Sequence, residues 1–338
     1  MSGPGARNLI TDVDGIGVGN AVDPRARTGV TVILPEGRVV AGVDVRGAAP
    51  GTRETDLLDP TCMVEAIDAI CLSGGSVFGL QAADAVVQWL VGQGRGLPVG
   101  GWQVPIVPAA IIFDLVSGGD KDWGAAPPYR DLAAAACDAA GAEFPLGNVG
   151  AGIGARAGRL KGGLGSASLV EADGVQVGAL AIANPVGAVT MPGSGTLWAW
   201  ALEQDGELGH QHPPARPAGA AEALPSDSRL GANTTLAVVA TNVTLTKAAA
   251  RRVAMMAHDG MARAIRPVHT PFDGDTVFAL STGRKQVVGA EAAALARIGA
   301  MGADCVARAI GRAVFEAEGF GDSPGYREVH AGAFGGRP

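Results

Sequence analysis

Glycine punctuates this chain more densely than a regular layered fold needs. It fills 52 of 338 positions, about twice its usual share. The runs CLSGGSVFG, GNVGAGIGARAG and LKGGLGSAS separate short apolar segments. There is no strict three-residue glycine period, so a collagen helix is excluded. The glycines read as tight turns and as places where two backbones approach closely. Hydrophobic residues make up 47% of the chain and charged ones only 17%. That supports a sizeable core in one large domain or two modest ones.

The formal net charge is -7. It provides no electrostatic footprint for nucleic acid, and no basic tract offers itself to anionic lipid. The start, MSGPGARNLITDVDG, has no basic region followed by an apolar run, so no secretory signal is expected there. No uninterrupted apolar stretch reaches the length of about 18 residues that a membrane span needs. Cys62, Cys71, Cys137 and Cys305 are scattered, without a Cys-x-x-Cys pair. They are expected to be buried free thiols in a reducing cytoplasm.

Several elements are legible. VTVILPEGRVVAGVDV at 30–45 reads as two strands around a turn. TCMVEAIDAICL has near-helical spacing. SVFGLQAADAVVQWL reads as a helix with Ser76 as its cap. VPIVPAAIIFDLV has strand composition, but its prolines argue for an edge or a bend. YRDLAAAACDAA is a helix, and VQVGALAIANPVG a buried strand running into a turn. Residues 205–232 are dominated by Pro, Gly, Ala and charges and read as a loose loop or linker. TTLAVVATNVT is then a strand, and a helix follows with Thr246 as cap, Pro267 beyond its end, and Val253, Met256, Ala257, Met261 and Ile265 on its apolar face. TVFALS is another strand. AEAAALARIGAMGADCVARAIGRAVFEA is one long helix, or two broken near Gly299 or Gly302. The mixture points to sheets covered by helices.

Most chemical motifs are absent. The glycine runs match no nucleotide-binding fingerprint, and Ser76 is not in a Gly-x-Ser-x-Gly elbow. His210, His212, His258, His269 and His330 form no metal-binding spacing, and a structural role suits His258. Asp273 and Asp275 lie two residues apart just before a strand. They form either an Asp-Gly turn or a pair of carboxylates that positions a nucleophile.

The stretch GANTTLAVVATN poses the same choice at its polar mouth, Asn233-Thr234-Thr235. Thr234 is either an ordinary strand-end residue or a nucleophile. A threonine freed at its own N-terminus carries an α-amine that ordinarily titrates at about 7.7–8.0, close enough to neutrality to take the hydroxyl proton. The chain would first have to be cut between Asn233 and Thr234, through attack of the hydroxyl on the preceding carbonyl. That step needs a donor for the oxyanion.

Taken together, NLITDVDGIGVG, GVTVILPEG, CLSGGSVFGL, GNVGAGIGARAG, LKGGLGSAS, ANPVG, GANTTLAVVATN and HDGMARAIRPVHTPFDGDTVFA make the chain resemble the P1 peptidases, family S58. These include L-aminopeptidase/D-esterases, β-aminopeptidases and nylon-oligomer hydrolases. The resemblance implies an α+β fold, a four-layer αββα sandwich like that of N-terminal-nucleophile hydrolases but with different connectivity. It implies one catalytic domain over 1–338 that cuts itself into 1–233 and 234–338. The fragments would stay together, and the pairs would assemble further as a homo-oligomer. Thr234 would be the nucleophile, Asn184 the oxyanion-side asparagine, and Asp273 and Asp275 the supporting acids. Lys161 would be the site lysine, with Arg159 close to the same aligned position. No cofactor or metal is implied. Substrates would be small peptides, amino-acid amides or esters, or oligoamides.

Two features depart from relatives. The cut would fall at Asn-Thr, as in the nylon-hydrolase branch, rather than at the Gly-Ser of members with serine nucleophiles, and Phe113 stands where some relatives carry a tyrosine. The rival readings are an acyltransferase of the ornithine acetyltransferase type, similar in fold and self-cleavage, and a non-catalytic binding protein that kept the fold.

Overall fold

The computed structural model describes residues 2–213, 233–286 and 290–333. Nine strands and four helices build the frame. In chain order they are β1 (Ile16–Asp23), β2 (Thr28–Pro35), β3 (Val40–Val45), β4 (Ile70–Ser73), α1 (Ala82–Gly92), β5 (Ala109–Ile111), α2 (Tyr129–Asp138), β6 (Gly163–Glu171), β7 (Gln176–Ala183), β8 (Leu236–Val243), α3 (Lys247–Ala264), β9 (Thr276–Lys285) and α4 (Glu291–Phe315). One sheet runs Ser2–Gly3, β6, β7, β8, β9, β3. The other runs β1, β2, β4, β5, Thr52–Arg53.

Alternation along the strands explains the layering. Successive side chains point to opposite faces, and both faces of each sheet are covered. On β8, Leu236, Val238 and Ala240 join the core between the two sheets, where they meet Ile33, Ile70 and Leu72 of the second sheet. Ala237, Val239 and Val243 face α3 and α4 instead. Val30, Val32 and Cys71 of the second sheet pack against α1 and α2 through Ala83, Val86 and Ala133. The result is helix, sheet, sheet, helix, the sandwich expected above. Each fully buried Leu, Ile or Val adds about 1.5–3 kcal/mol, which is why β8 reads as a continuous apolar run.

Small residues set the spacing of the helical layer. A Cβ on Gly165 of β6 would collide with the Ala309 carbonyl of α4, so the helix rests directly on the sheet. α4 is one unbroken helix of 25 residues. Gly299 and Gly302 cost it about 1 kcal/mol each in propensity, but they face Met256 and Val239, and packing holds the helix through them.

Several sequence expectations need correction. TCMVEAIDAICL is not a helix. Its end becomes β4, paired on both sides by β2 and β5, while Met63 is 94% exposed. Sheet burial of Ile70, Cys71 and Leu72 outweighs the helical spacing. Ser76 caps nothing: it has φ +52 within a 3-10 turn (Ser76–Gln81), its N–H donates to Ile112 O, and α1 begins only at Ala82. β2 and β3 are the two strands expected around the turn, but they do not pair with each other. The Pro35–Gly37 turn carries the chain from one sheet to the other, and β3 pairs with β9. β5 is not an edge strand, since Thr52–Arg53 lies outside it. Cys71, Cys137 and Cys305 are buried, but Cys62 is only half-buried, in the turn whose carbonyl at Asp56 accepts its thiol. Burial pushes the Cys137 and Cys305 thiols up to about 12.

The loose segment over 205–232 is only partly described, since 214–232 lie outside the described residues. Its beginning is pinned. Glu207 accepts from buried Arg308 at 2.5 and 2.9 Å, and Leu208 is fully buried. The Glu203 carboxylate receives the N–H groups of Leu208, His210 and Gln211. Other expectations hold: Thr246 accepts from Ala249 N and caps α3. Among the described residues no helix is long and apolar enough to cross a membrane.

Candidate active site

β8 and β9 run parallel, so their N-terminal mouths lie side by side and α3 makes the crossover. This places Asn233-Thr234-Thr235 against Asp273-Gly274-Asp275. The two segments continue the ladder: Gly274 N–H donates to Asn233 O at 3.0 Å, and Thr276 N–H to Thr235 O at 3.1 Å. Asn184 ends β7 on the other flank of β8. Its carbonyl accepts the Thr234 N–H at 2.8 Å. Three of the expected site segments, distant in sequence, therefore meet at one strand end.

Thr234 is 2% exposed. Its Oγ1 donates to the carbonyl oxygen of Asn233, its own preceding residue, at 2.5 Å. That oxygen thus takes two donors, the Thr234 hydroxyl and the Gly274 amide. Asn184 is 2% exposed, and its Oδ1 accepts from Arg156 N at 2.9 Å. Its Nδ2 has no hydrogen-bond partner among the described residues, and neither has Thr235 Oγ1. A buried amide donor without a partner costs about 1–3 kcal/mol, and few such groups occur in a native fold.

The two acids do not touch the Thr234 side chain by hydrogen bond. Asp273 accepts from Val186 N at 3.1 Å and from Thr270 N and Oγ1 at 3.1 and 2.5 Å. Burial, and then the Asp275 charge, raise its carboxyl above the ordinary range. Asp275 accepts from Thr235 N at 2.8 Å, His269 N at 3.1 Å and His269 Nδ1 at 2.8 Å. The pair thus anchors the Thr235 amide next to Thr234 and the Val186 amide two residues beyond Asn184. Their oxygens accept from Val186, Thr270, Thr235 and His269.

Lys161 is 2% exposed, and its Nζ donates to the carbonyls of Gly152, Ala155 and Gly162 at 3.1, 3.1 and 2.7 Å. Burial lowers its ammonium to about 7, because a charged amine loses more hydration than a neutral one. It does not hydrogen-bond Thr234. It sits on the small hairpin Arg156–Ala157/Leu160–Lys161, whose Arg156 N–H holds Asn184. Arg159 at the hairpin tip is exposed. Phe113 is half-buried and brings no hydroxyl.

Two residues that the sequence reading gives no role at the site also meet there. Gly274 separates the acids, and a Cβ there would lie 2.7 Å from Thr234 Oγ1 and 2.6 Å from Ala49 O, so only glycine lets the turn close on the threonine. An Asp-Gly-Asp triplet was the available signal. His269, with φ +54, gives Asp275 two bonds and packs edge-on against His258 with ring centroids 4.8 Å apart. Burial lowers His258 to about 4, so that ring is neutral at ordinary pH. Among the described residues no group of three or more His, Cys, Asp or Glu could hold a metal ion.

Comparison with known proteins identifies the family and the fold. The family description of peptidase family S58 matches residues 8–326. The chain is 47% identical to an uncharacterized aminopeptidase of Mycobacterium bovis, over 97% of this chain and 99% of the relative. It is 33% identical to a 6-aminohexanoate-oligomer endohydrolase of a Kocuria species, over 82% of this chain and 76% of that one. Its fold matches a Burkholderia sp. β-aminopeptidase with TM-score 0.72 at 23% identity, covering 100% of this chain and 97% of the other. It also matches an L-aminopeptidase D-Ala-esterase/amidase from Ochrobactrum anthropi, described as a variant of the Ntn hydrolase fold, with TM-score 0.69 at 22% identity, covering 95% and 89%. With the α+β sandwich and the parallel strand mouths in place, the chain belongs to peptidase family S58 and is a hydrolase.

Proposed function

We propose that the protein is a self-processing N-terminal-threonine hydrolase that cuts amide bonds, and ester bonds of similar shape, through an acyl-threonine. One observation carries the reading: the Thr234 hydroxyl is hydrogen-bonded to the Asn233 carbonyl, whose oxygen also receives the Gly274 N–H. In the cutting step Oγ1 attacks the Asn233 carbonyl carbon. The C–N bond breaks, the nitrogen takes the hydroxyl proton, and Asn233 is left as an ester on Thr234. The Gly274 amide stabilises the charge on the carbonyl oxygen during attack. Water then hydrolyses the ester, releasing the Asn233 carboxylate and the free threonine.

Substrate turnover repeats this chemistry. The α-amine of Thr234, held by the Asn184 carbonyl, accepts the Oγ1 proton as the hydroxyl attacks the substrate carbonyl. The unpartnered Asn184 Nδ2 donates to the oxyanion. The ammonium protonates the leaving amine, and water deacylates the threonine. Asp273 and Asp275 act as positioning residues, fixing Val186 and Thr235 around the nucleophile. Lys161 acts through the hairpin that holds Asn184.

The fragments 1–233 and 234–338 would remain associated because the cut leaves the sheet shared. β8 pairs with β7 along six residues, and β9 pairs with β3. Intact-mass measurement of wild type and Thr234→Ala tests the reading, alongside a panel of aminoacyl amides, oligoamides and esters. Two fragments and turnover are expected for wild type, with one inactive chain for the variant. An active wild type whose mass shows Asn233 still joined to Thr234 would end it.

A further inference from the structure

A cavity of about 500 Å³ opens beside the site, walled by the segment that follows Asn184 and by the hairpin tip. Among the described residues its lining contains Arg159, Arg266 and His330 and no Asp or Glu, although the chain as a whole carries a net charge of -7. Arg266 is fixed to the backbone that follows Asn184, and Arg159 stands at the exposed tip of the hairpin that meets the same backbone. Gly158, the neighbour of Arg159, donates its N–H to Pro185 O at 3.1 Å. Arg266 exchanges two backbone hydrogen bonds of 2.9 Å with Ala188. Its guanidinium lies 5.4 Å from the centre of the Trp198 ring, within the range of a cation–π contact. Neither guanidinium forms an ion pair among the described residues, while most other arginines of the chain do. Val186, on the same wall, is the residue whose N–H the site carboxylate of Asp273 receives. The cavity and the nucleophile's surroundings therefore share a backbone.

We infer that this cavity is a carboxylate-binding subsite, in which Arg159 and Arg266 hold the free carboxylate of a short peptide or oligoamide substrate. A planar guanidinium fork matches a carboxylate with two parallel hydrogen bonds, and a concave wall whose described residues include no acid leaves that charge uncompensated until substrate arrives. In a substrate cut near its end, the carboxylate is the chain terminus of the leaving amine. In a substrate with an acidic N-terminal residue, it is a side chain. The inference rests on the hydrolase reading for its role in turnover, but binding can be read without turnover.

Two measurements keep the two readings apart. In the first, uncut Thr234→Ala and its double variants with Arg159→Ala and Arg266→Ala are titrated calorimetrically with the free acid of a dipeptide and with its C-terminal amide. The free acid should bind Thr234→Ala at least tenfold tighter than the amide, and each double variant should lose that preference. Equal affinity for acid and amide in Thr234→Ala overturns the inference, whether or not the chain ever cuts itself. In the second, kcat/KM is compared on the processed enzyme for dipeptide acid against dipeptide amide, and for glutamyl against alanyl p-nitroanilide. A preference in the first pair that Arg266→Ala collapses at least tenfold, with Arg266→Lys intermediate, assigns the site to the chain terminus. The same collapse in the second pair assigns it to a side chain. Ratios that neither variant moves overturn the inference while leaving the hydrolase reading intact. Circular dichroism of each variant establishes that it folds.

Discussion

β8 carries polar residues at both ends, and the two ends use them in opposite ways. At the far end, Asn242 spends both side-chain groups on backbone: its Oδ1 accepts from Gln176 N at 3.0 Å, and its Nδ2 donates to Gly174 O at 2.9 Å. Thr241 Oγ1 donates to Gln176 O and accepts from Val243 N. Every polar side-chain atom there ties the strand to its neighbour. At the near end, the Thr234 hydroxyl turns back on its own peptide, and Thr235 Oγ1 and Asn184 Nδ2 are buried with no partner among the described residues. Similar residue types thus serve as fastening at one end and as unspent hydrogen-bonding capacity at the other. Unspent capacity costs stability, and it is what a developing oxyanion would take up.

The largest effect that would sharpen this contrast is complete loss. Thr234→Ala should abolish both fragment formation and turnover, read by denaturing electrophoresis and a chromogenic amide. Cutting in that variant would transfer the chemistry away from the near end. Next comes Asn184→Ala. It should lower kcat by about 10²- to 10³-fold, the usual cost of one oxyanion donor, measured on the processed enzyme. A change within twofold would make its free amide a packing defect.

The far end should respond only in stability. Asn242→Ala should cost about 1–3 kcal/mol in urea unfolding, for two backbone hydrogen bonds lost. Its rate of self-cutting should match wild type, and a slowed cut would break the division between the two ends.

The smallest effect concerns pH. The Asp273 carboxyl titrates above its unfolded value, so the folded form holds the proton more tightly. Its contribution is therefore fully present below the ordinary carboxylate range and is lost as pH rises through the folded pKa. Asp273→Asn, placed in the uncut Thr234→Ala chain, should flatten that loss in the pH dependence of the urea midpoint. An unaltered slope would show that Asp273 is not the group responsible.

Much of this molecule is local in origin. The apolar alternation from Leu236 to Val243, the cap at Thr246 and the spacing of Val253, Ala257 and Met261 announce β8 and α3, because side-chain period and capping act over a few residues. The motif set around Asn233-Thr234 and Asp273-Asp275 points to the family for the same reason. What the linear chain does not contain is the choice of partners. β2 and β3 flank a short turn, yet each joins a different sheet: β2 pairs with β1 and β4, and β3 pairs with β9. Glu207 looks like part of a linker until Arg308, far along the chain, needs a buried carboxylate. Asn184 and Thr234 meet only because β7 and β8 lie in register. Whether a polar atom at a strand end is satisfied or left waiting depends on groups brought from other elements into a site that excludes water. Desolvation and long-range pairing belong to the tertiary structure, and they decided which end of β8 has its polar side chains tied to a neighbour and which end leaves buried polar atoms without a partner among the described residues.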